Sequence, residues 1–284
     1  MNCIISTEAT CDLSKDLIEK YNISVIDMDF IINNEVYSTE KDNVDSTQLY
    51  KKMKSGAKVS TSQINEFKYQ EYFTKLLQQN KPIFHICLSG NLSATSKTAL
   101  KVADKINETS KNKIYIIDSL GACSGQGFLA ILCSEFAKNC NNEQDLLSYA
   151  ETTKMKINYI FSVENLKYLA NGGRIKQSTA FIGNVLNIKP ILKADNTGKL
   201  VQTKKVISRK KALVTLFNIF KETNTNESNI CFISHADCLE DALVIKELVK
   251  KETNYDVIIT NLGPIIGSHS GPGTIAMFYL GKER

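Results

Sequence analysis

The sequence predicts an α/β fold of two α/β domains, the first built on a largely parallel sheet and the second on a mixed one. Three observations carry this. Two apolar runs, 83–88 and 114–117, are each followed by an amphipathic stretch of helical length, the pattern of strands covered on both faces of a parallel sheet. Short apolar runs alternate with longer amphipathic ones along the whole chain, with no repeat or low-complexity tract. The 284 residues exceed the roughly 100–200 of one domain. A polar stretch at 139–143 precedes a helix to about residue 155, which places the domains at 1–156 and 157–284.

Residues 4–5 and 23–26 read as strands around a helix with Leu13, Leu17 and Ile18 on one side. Residues 30–32 and 35–37 read as a hairpin, because Asn33 and Asn34 tolerate the positive φ that a tight turn requires. Ser46 is an N-cap for a helix that stops at Gly56, and a second helix over 66–78 is expected to bury Phe67, Phe73, Leu76 and Leu77. The loops after the two apolar strands, 89–93 and 118–121, lie at the carboxyl ends of a parallel sheet, where ligands bind. The second half reads as strands at 159–163, 188–194, 199–207, 230–234, 257–261 and 275–280. Helices are expected at 165–170, 180–186, from 208, and at 239–250, with turns at Gly172-Gly173 and 195–198.

Composition excludes several functions. The net charge of +5 is carried by lysines mixed with glutamates along the chain, and the arginines are only Arg174, Arg209 and Arg284. A nucleic-acid interface concentrates basic residues into a stripe, so no nucleic-acid partner is expected. The eight cysteines contain no Cys-x-x-Cys pair and several sit inside apolar runs, which makes them small core hydrophobes rather than ligands. No metal or cofactor is expected. The N-terminus lacks a basic region followed by an apolar run, no apolar segment reaches the ~20 residues of a membrane span, and no lipidation motif is present. A cytoplasmic protein is expected, with no stable membrane insertion and at most transient membrane contact.

The nucleotide motifs fail. Thr197-Gly198-Lys199 resembles the end of a phosphate-binding loop but lacks the upstream glycine and reads as a hairpin turn. Gly125-Gln126-Gly127-Phe128-Leu129-Ala130 starts inside a helix, so its glycines read as close packing. The enzymatic alternative is a lipid ester hydrolase with Ser93 as nucleophile, His269 as base and Asp118 as orienter. The segment Gly90-Asn91-Leu92-Ser93-Ala94 lacks the G-x-S-x-G form of a nucleophile elbow. The hydroxyls of Thr61 and Ser93 are either helix caps or anion donors, and spacing alone does not decide between these. The most unusual segment is Gly263-Pro264-Ile265-Ile266-Gly267-Ser268-His269-Ser270-Gly271-Pro272-Gly273. Two of four prolines and four glycines in one stretch specify a tight shape, and it is expected to be a ligand loop.

This last segment resembles the C-terminal signature of the DegV family. Four other motifs agree in order. Thr61-Ser62-Gln63 resembles that family's Thr-Ser-Gln-Pro, and Ser89-Gly90-Asn91-Leu92-Ser93-Ala94-Thr95 its Leu-Ser-Gly-Thr loop. Asp118-Ser119 with Gly125-Gln126-Gly127 resembles its Asp-Ser…Gly-x-Gly segment, and Gly172-Gly173-Arg174 followed by Ile188-Lys189-Pro190-Ile191-Leu192 its central signature. The likeness covers essentially the full chain. Three positions depart from it: Glu8-Ala9 stands where the family has Asp-Ser, Ile64 replaces the proline after Thr-Ser-Gln, and Ile207 stands at a position often held by arginine.

The resemblance implies a binding subunit rather than an enzyme, holding one long-chain fatty acid at and beyond the domain interface. A partner, the catalytic subunit of fatty acid kinase, would phosphorylate the bound carboxylate for phospholipid synthesis. Thr61, Ser93 and His269 would hold the carboxylate. Arg174, Ser62, Ser119 and Gly90 would lie near it or near the incoming phosphate. Phe181, Ile182, Val185, Leu186, Ile191 and Leu192 are candidate tunnel walls. Hydroxyls and an imidazole satisfy a desolvated carboxylate, each charged bond contributing roughly 1.5–3 kcal/mol. The tail supplies most of the affinity, at roughly 0.8 kcal/mol per buried CH₂ before binding costs.

Overall fold

The computed structural model describes residues 1–39, 46–178, 187–282 and 284. Strands β1 (Ile4–Glu8), β2 (Ile23–Ile26), β6 (Ile83–Cys87) and β7 (Ile114–Asp118) make a four-stranded, wholly parallel sheet in the order β2-β1-β6-β7. Its central strands β1 and β6 are buried at every position, which is why their sequences lack the alternation of a half-exposed strand. Helix α4 (Thr95–Asn107) follows β6, and α5 (Cys123–Asn139) follows β7.

Six later strands form the mixed sheet. They are β8 (Ile157–Ser162), β9 (Ile188–Ala194), β10 (Leu200–Ile207), β11 (Ile230–His235), β12 (Asp256–Asn261) and β13 (Ile275–Leu280), in the order β10-β9-β8-β13-β11-β12. β11 and β12 run parallel, and the other neighbours pair antiparallel. The parallel sheet thus uses strands from before residue 119, and the mixed sheet uses strands from 157 on, with α6 (Glu143–Lys156) between them.

One helix joins the two layers. α5 packs on β1 and β6 of the first sheet and on β8, β11 and β13 of the second. It therefore buries both sides, from Cys123 through Ser134 without interruption, and its apolar residues show no single stripe. Gly125 and Gly127 permit the approach. A Cβ at Gly125 would lie 2.2 Å from the Tyr159 ring, and one at Gly127 would lie 2.6 Å from Leu13. Close packing, rather than a phosphate, accounts for this glycine pair. The opposite face of the mixed sheet is covered by α8 (Arg209–Thr223) and α9 (Leu239–Glu252).

A small antiparallel sheet of β3 (Asp29–Ile32), β4 (Glu35–Ser38) and β5 (Val59–Thr61) stands beside the site. Asn33 and Asn34 take φ of 49° and 73° in its hairpin turn, as their residue type allows. Helices α1 (Lys15–Lys20), α2 (Ser46–Lys54), α3 (Glu66–Leu77) and α7 (Lys167–Asn171) complete the first unit and open the second.

Some expectations are corrected. Residues 263–273 are not one loop: they contain helix α10 (Pro264–Ser270), with Pro264 in its first turn and Gly271 at its C-cap with φ of 80°. The prolines and glycines mark the ends of a short helix. Thr61 ends strand β5, which lies between α2 and α3. Phe67 is 69% exposed on α3, whose buried side is Tyr69, Phe73 and Leu76. The helix expected over 180–186, with Phe181, Ile182, Val185 and Leu186, lies outside the described residues.

Candidate functional site

A cavity of about 410 Å³ opens between the parallel sheet, the mixed sheet and α10. The loop after β6 contributes Leu88, Leu92, Ser93 and Ala94, and the loop after β7 contributes Gly121, Ala122 and Cys123. These are the carboxyl ends of parallel strands, where a sheet leaves room for a ligand. The mixed sheet contributes Tyr159, Phe161, Ala194, Ala276 and Phe278, and α10 with its flank contributes Leu262, Ile265 and Ile266. The wall is mostly apolar. Its polar groups include Thr61, Ser62, Gln63, Ser93, Arg174, His269 and Ser270.

Three of these polar residues form a connected set. Thr61 Oγ1 lies 2.7 Å from His269 Nε2, and Arg174 Nη1 lies 3.3 Å from His269 Nδ1. Burial, helped by the Arg174 charge, holds the imidazole pKa down to about 4, so His269 is neutral near pH 7. A guanidinium only donates, so Nδ1 accepts and Nε2 carries the proton. Thr61 therefore accepts from His269, and its own O–H is left to donate to a ligand. Arg174 is fixed by donating from Nε to the Leu92 carbonyl at 3.0 Å and from Nη1 to the Gly172 carbonyl.

Ser93 lines the same cavity at the start of α4. Its Oγ accepts from the Thr95 N–H at 3.2 Å and lies 2.7 Å from Thr95 Oγ1. It stands one residue before the N-cap, Ala94, and its hydroxyl lines the cavity. Among the described residues no hydrogen bond joins Ser93 to His269. Asp118 accepts from the Gly90 N–H at 3.0 Å and the Leu120 N–H at 2.8 Å. It ties two loops together and does not orient the imidazole.

Other expected residues fall elsewhere. Ser62 lines the cavity, while Gly90 and Ser119 do not. Ser119 is buried with its Oγ donating to the Gly121 carbonyl. Ile191 and Leu192, expected in the wall, are core instead. Ile191 packs among residues of α8 and α9, and Leu192 packs with Val163, Leu166 and Leu169. Adjacent strand residues face opposite sides of a sheet, so at most one of them could have pointed to a cavity. Cys123, Tyr159, Phe161 and Phe278 were not anticipated. The alternation of Tyr159, Phe161 and Phe278 along β8 and β13 was readable, but that these two strands pair side by side in the wall of a cavity was not.

The three departures from the motif pattern also have places. Glu8 is wholly buried and accepts from the Tyr69 hydroxyl at 2.7 Å and the Leu88 N–H at 2.8 Å. Ile64 is buried in the core, and Ile207 is 68% exposed at the end of edge strand β10. Thr197-Gly198-Lys199 is the β9–β10 turn, docked on the β6 loop by Ser89 Oγ donating to the Gly198 carbonyl at 3.0 Å. Glu8, His85 and Cys87 bring potential metal-ligand atoms within 4.8 Å of one another. All three are fully buried, and the His85 ring stands edge-on to Tyr69 and Phe73. No helix among the described residues is long and apolar enough to cross a membrane.

The arrangement can seat an apolar molecule whose anionic end meets the neutral hydroxyls of Thr61 and Ser93, with the imidazole behind Thr61 and one guanidinium behind the imidazole. Residues 3–282 match the family described as DegV, uncharacterised protein. A DegV domain-containing protein of Clostridium perfringens is 34% identical over 289 residues, spanning 99% of this chain and 98% of that protein. Two solved structures share the fold over almost the entire length. A DegV lipid binding protein from Thermotoga maritima gives a TM-score of 0.86 at 25% identity, covering 100% of both chains. DegV from Bacillus subtilis, described as a fatty acid binding protein, gives 0.85 at 27% identity, covering 99% of this chain and 100% of that one.

Proposed function

The chain belongs to the DegV family, and from that premise we propose that it binds one long-chain fatty acid and presents the carboxylate to a partner kinase. The observation that carries the reading is the division of the cavity. An apolar wall runs from Leu92 to Phe278, and the Thr61–His269 pair, 2.7 Å apart, stands with Arg174 and Ser93 among its polar groups. The lipid and fatty acid binding of the Thermotoga and Bacillus proteins supports it.

Physical chemistry favours this division of labour. Burying a carboxylate without partners is costly, and the Thr61 and Ser93 hydroxyls can each donate to it. Neutral donors hold the oxygens without the bidentate clamp of an arginine. One carboxylate oxygen stays free to attack the γ-phosphorus of ATP on the partner, giving an acyl phosphate and ADP. Residues 1–156 and 157–284 act as the two sides of the slot. The work takes place in the cytoplasm beside that kinase, with at most passing contact with a membrane surface.

Native mass spectrometry tests the reading. Freshly purified protein is expected to carry one long-chain fatty acid, and delipidated protein to take up one per chain. No co-purified lipid and no uptake on addition would remove it.

A further inference from the structure

Resting on the fatty-acid reading, we propose that Tyr159, braced by Arg284, closes the far end of the cavity and sets the length of acyl chain that it accepts. Depth along the cavity can be read from strand register. Thr274 lies next to the α10 segment that carries His269, and β13 runs away from it. Thr274, just before β13, lines the cavity with Ala276 and Phe278, which as alternate residues share one face of the strand. On β8, Phe161 stands opposite Ala276 and Tyr159 opposite Phe278. Each such step moves about 7 Å further from the polar end. The next rung, Leu280 opposite Ile157, belongs to the packed core and does not line the cavity. Along β8 and β13, and among the described residues, the slot therefore ends at Tyr159 and Phe278.

Tyr159 is held there from three sides. Its ring lies against Gly121 and Gly125, where an added Cβ would come within 2.1 and 2.2 Å of it. Phe278 meets it edge-on at 5.5 Å. Behind it, the Arg284 guanidinium sits 4.5 Å from the ring centroid, a cation-π arrangement. Arg284 is itself anchored by donating from Nη1 to the Leu120 carbonyl at 2.5 Å, and from Nη2 to the carbonyls of Ser119 at 3.3 Å and Lys154. These carbonyls lie just before Gly121 and near the end of α6, so the guanidinium joins the loop under the tyrosine to the start of the mixed sheet. Tyr159 is the stopper, and Arg284 is a positioning residue that acts through it.

The experiment is competition binding to the full chain with saturated acids from lauric to arachidic. Tyr159→Ala is expected to favour arachidic over palmitic acid at least tenfold more than the unsubstituted chain does, while Tyr159→Phe keeps the original order. Arg284→Ala leaves the core side chains in place and provides the second reading, with a smaller shift in the same direction that Arg284→Lys reverses. A merely destabilising role would weaken all acids alike. Binding retained with an unchanged length order in both Tyr159→Ala and Arg284→Ala would overturn this proposal alone. An unsubstituted chain that binds no acid would overturn it together with the fatty-acid reading.

Discussion

Thr61 and His269, 208 positions apart in the chain, meet at 2.7 Å between Oγ1 and Nε2. The bond connects β5 of the small antiparallel sheet to α10 of the second unit, and Arg174 fixes its direction by donating to the other ring nitrogen. The threonine proton is thereby left free to face the cavity, and the imidazole acts as a neutral brace.

The first prediction separates head from tail. Ser93→Ala, which removes a donor hydroxyl, or His269→Ala, which removes the brace that orients the Thr61 hydroxyl, is expected to lower phosphorylation of the bound acid about 10- to 100-fold, the equivalent of one charge-assisted hydrogen bond of roughly 1.5–3 kcal/mol. Uptake should fall less, because tail burial supplies most of the affinity and water at the mouth can replace a missing donor. Quantified acyl phosphate beside equilibrium uptake decides this, and equal losses would contradict the division.

The second concerns acid. The His269 pKa is held down to about 4 from an ordinary 6.5, chiefly by burial. The folded chain then binds fewer protons than the unfolded one between these values. Stability from this group is complete above about pH 6.5 and is lost as the pH falls toward about 4, on the order of 3 kcal/mol in all. Denaturant titrations across that window should show a shallower acid-side loss for His269→Gln than for the unsubstituted chain. Parallel curves would show that the imidazole does not titrate as its burial requires.

The third contrasts two neighbouring glycines. A Cβ at Gly172 would lie 2.4 Å from His269 Nδ1, whereas Gly173 has open space but a φ of 75°. Gly172→Ala should displace the imidazole and lower phosphorylation with little change in melting temperature. Gly173→Ala should cost about 1 kcal/mol of stability through backbone strain and leave transfer nearly intact. Melting curves beside transfer rates distinguish these outcomes, and the reverse pattern would break the link from Gly172 to the site.

These cases show what the sequence could convey. β6 was legible because a strand buried on both faces is a continuous apolar run, and edge strand β7, only partly buried, was legible because its run is apolar as well. The Asn33-Asn34 turn was legible because few residues take positive φ. Helix α10 was read as a loop because its boundary signals, Gly263-Pro264 and Gly271-Pro272, enclose a helix only seven residues long. β5 is three residues long and has no period to detect. Thr61, Ser93 and His269 were picked out by residue type and motif, but the Thr61–His269 bond depends on how β5 and α10 pack, which no local pattern encodes. Tyr159 and Phe278 looked like ordinary core for the same reason.

The last prediction concerns Asp12, which sits just behind α10. Its carboxylate is buried beside Cys123 and Gly263, and Oδ2 has no hydrogen-bond partner. Burial raises its pKa from 3.8 to about 7, against the Cys123 thiol and the Gly263 amide, which lower it. The folded chain therefore binds more protons than the unfolded chain between those values. Stability from this group is present below the unfolded pKa and is lost as the pH rises toward about 7. Asp12→Asn keeps the shape and tolerates the left-handed backbone at this position, where φ is 47°. It cannot ionise, so its stability gain over the unsubstituted chain should grow by roughly 2–3 kcal/mol between about pH 5 and about pH 8. Both chains keep His269 and His85, so the difference isolates Asp12. Denaturant midpoints at the two pH values measure it, and a gain that does not change with pH would mean that this carboxylate is not the buried acid its surroundings make it.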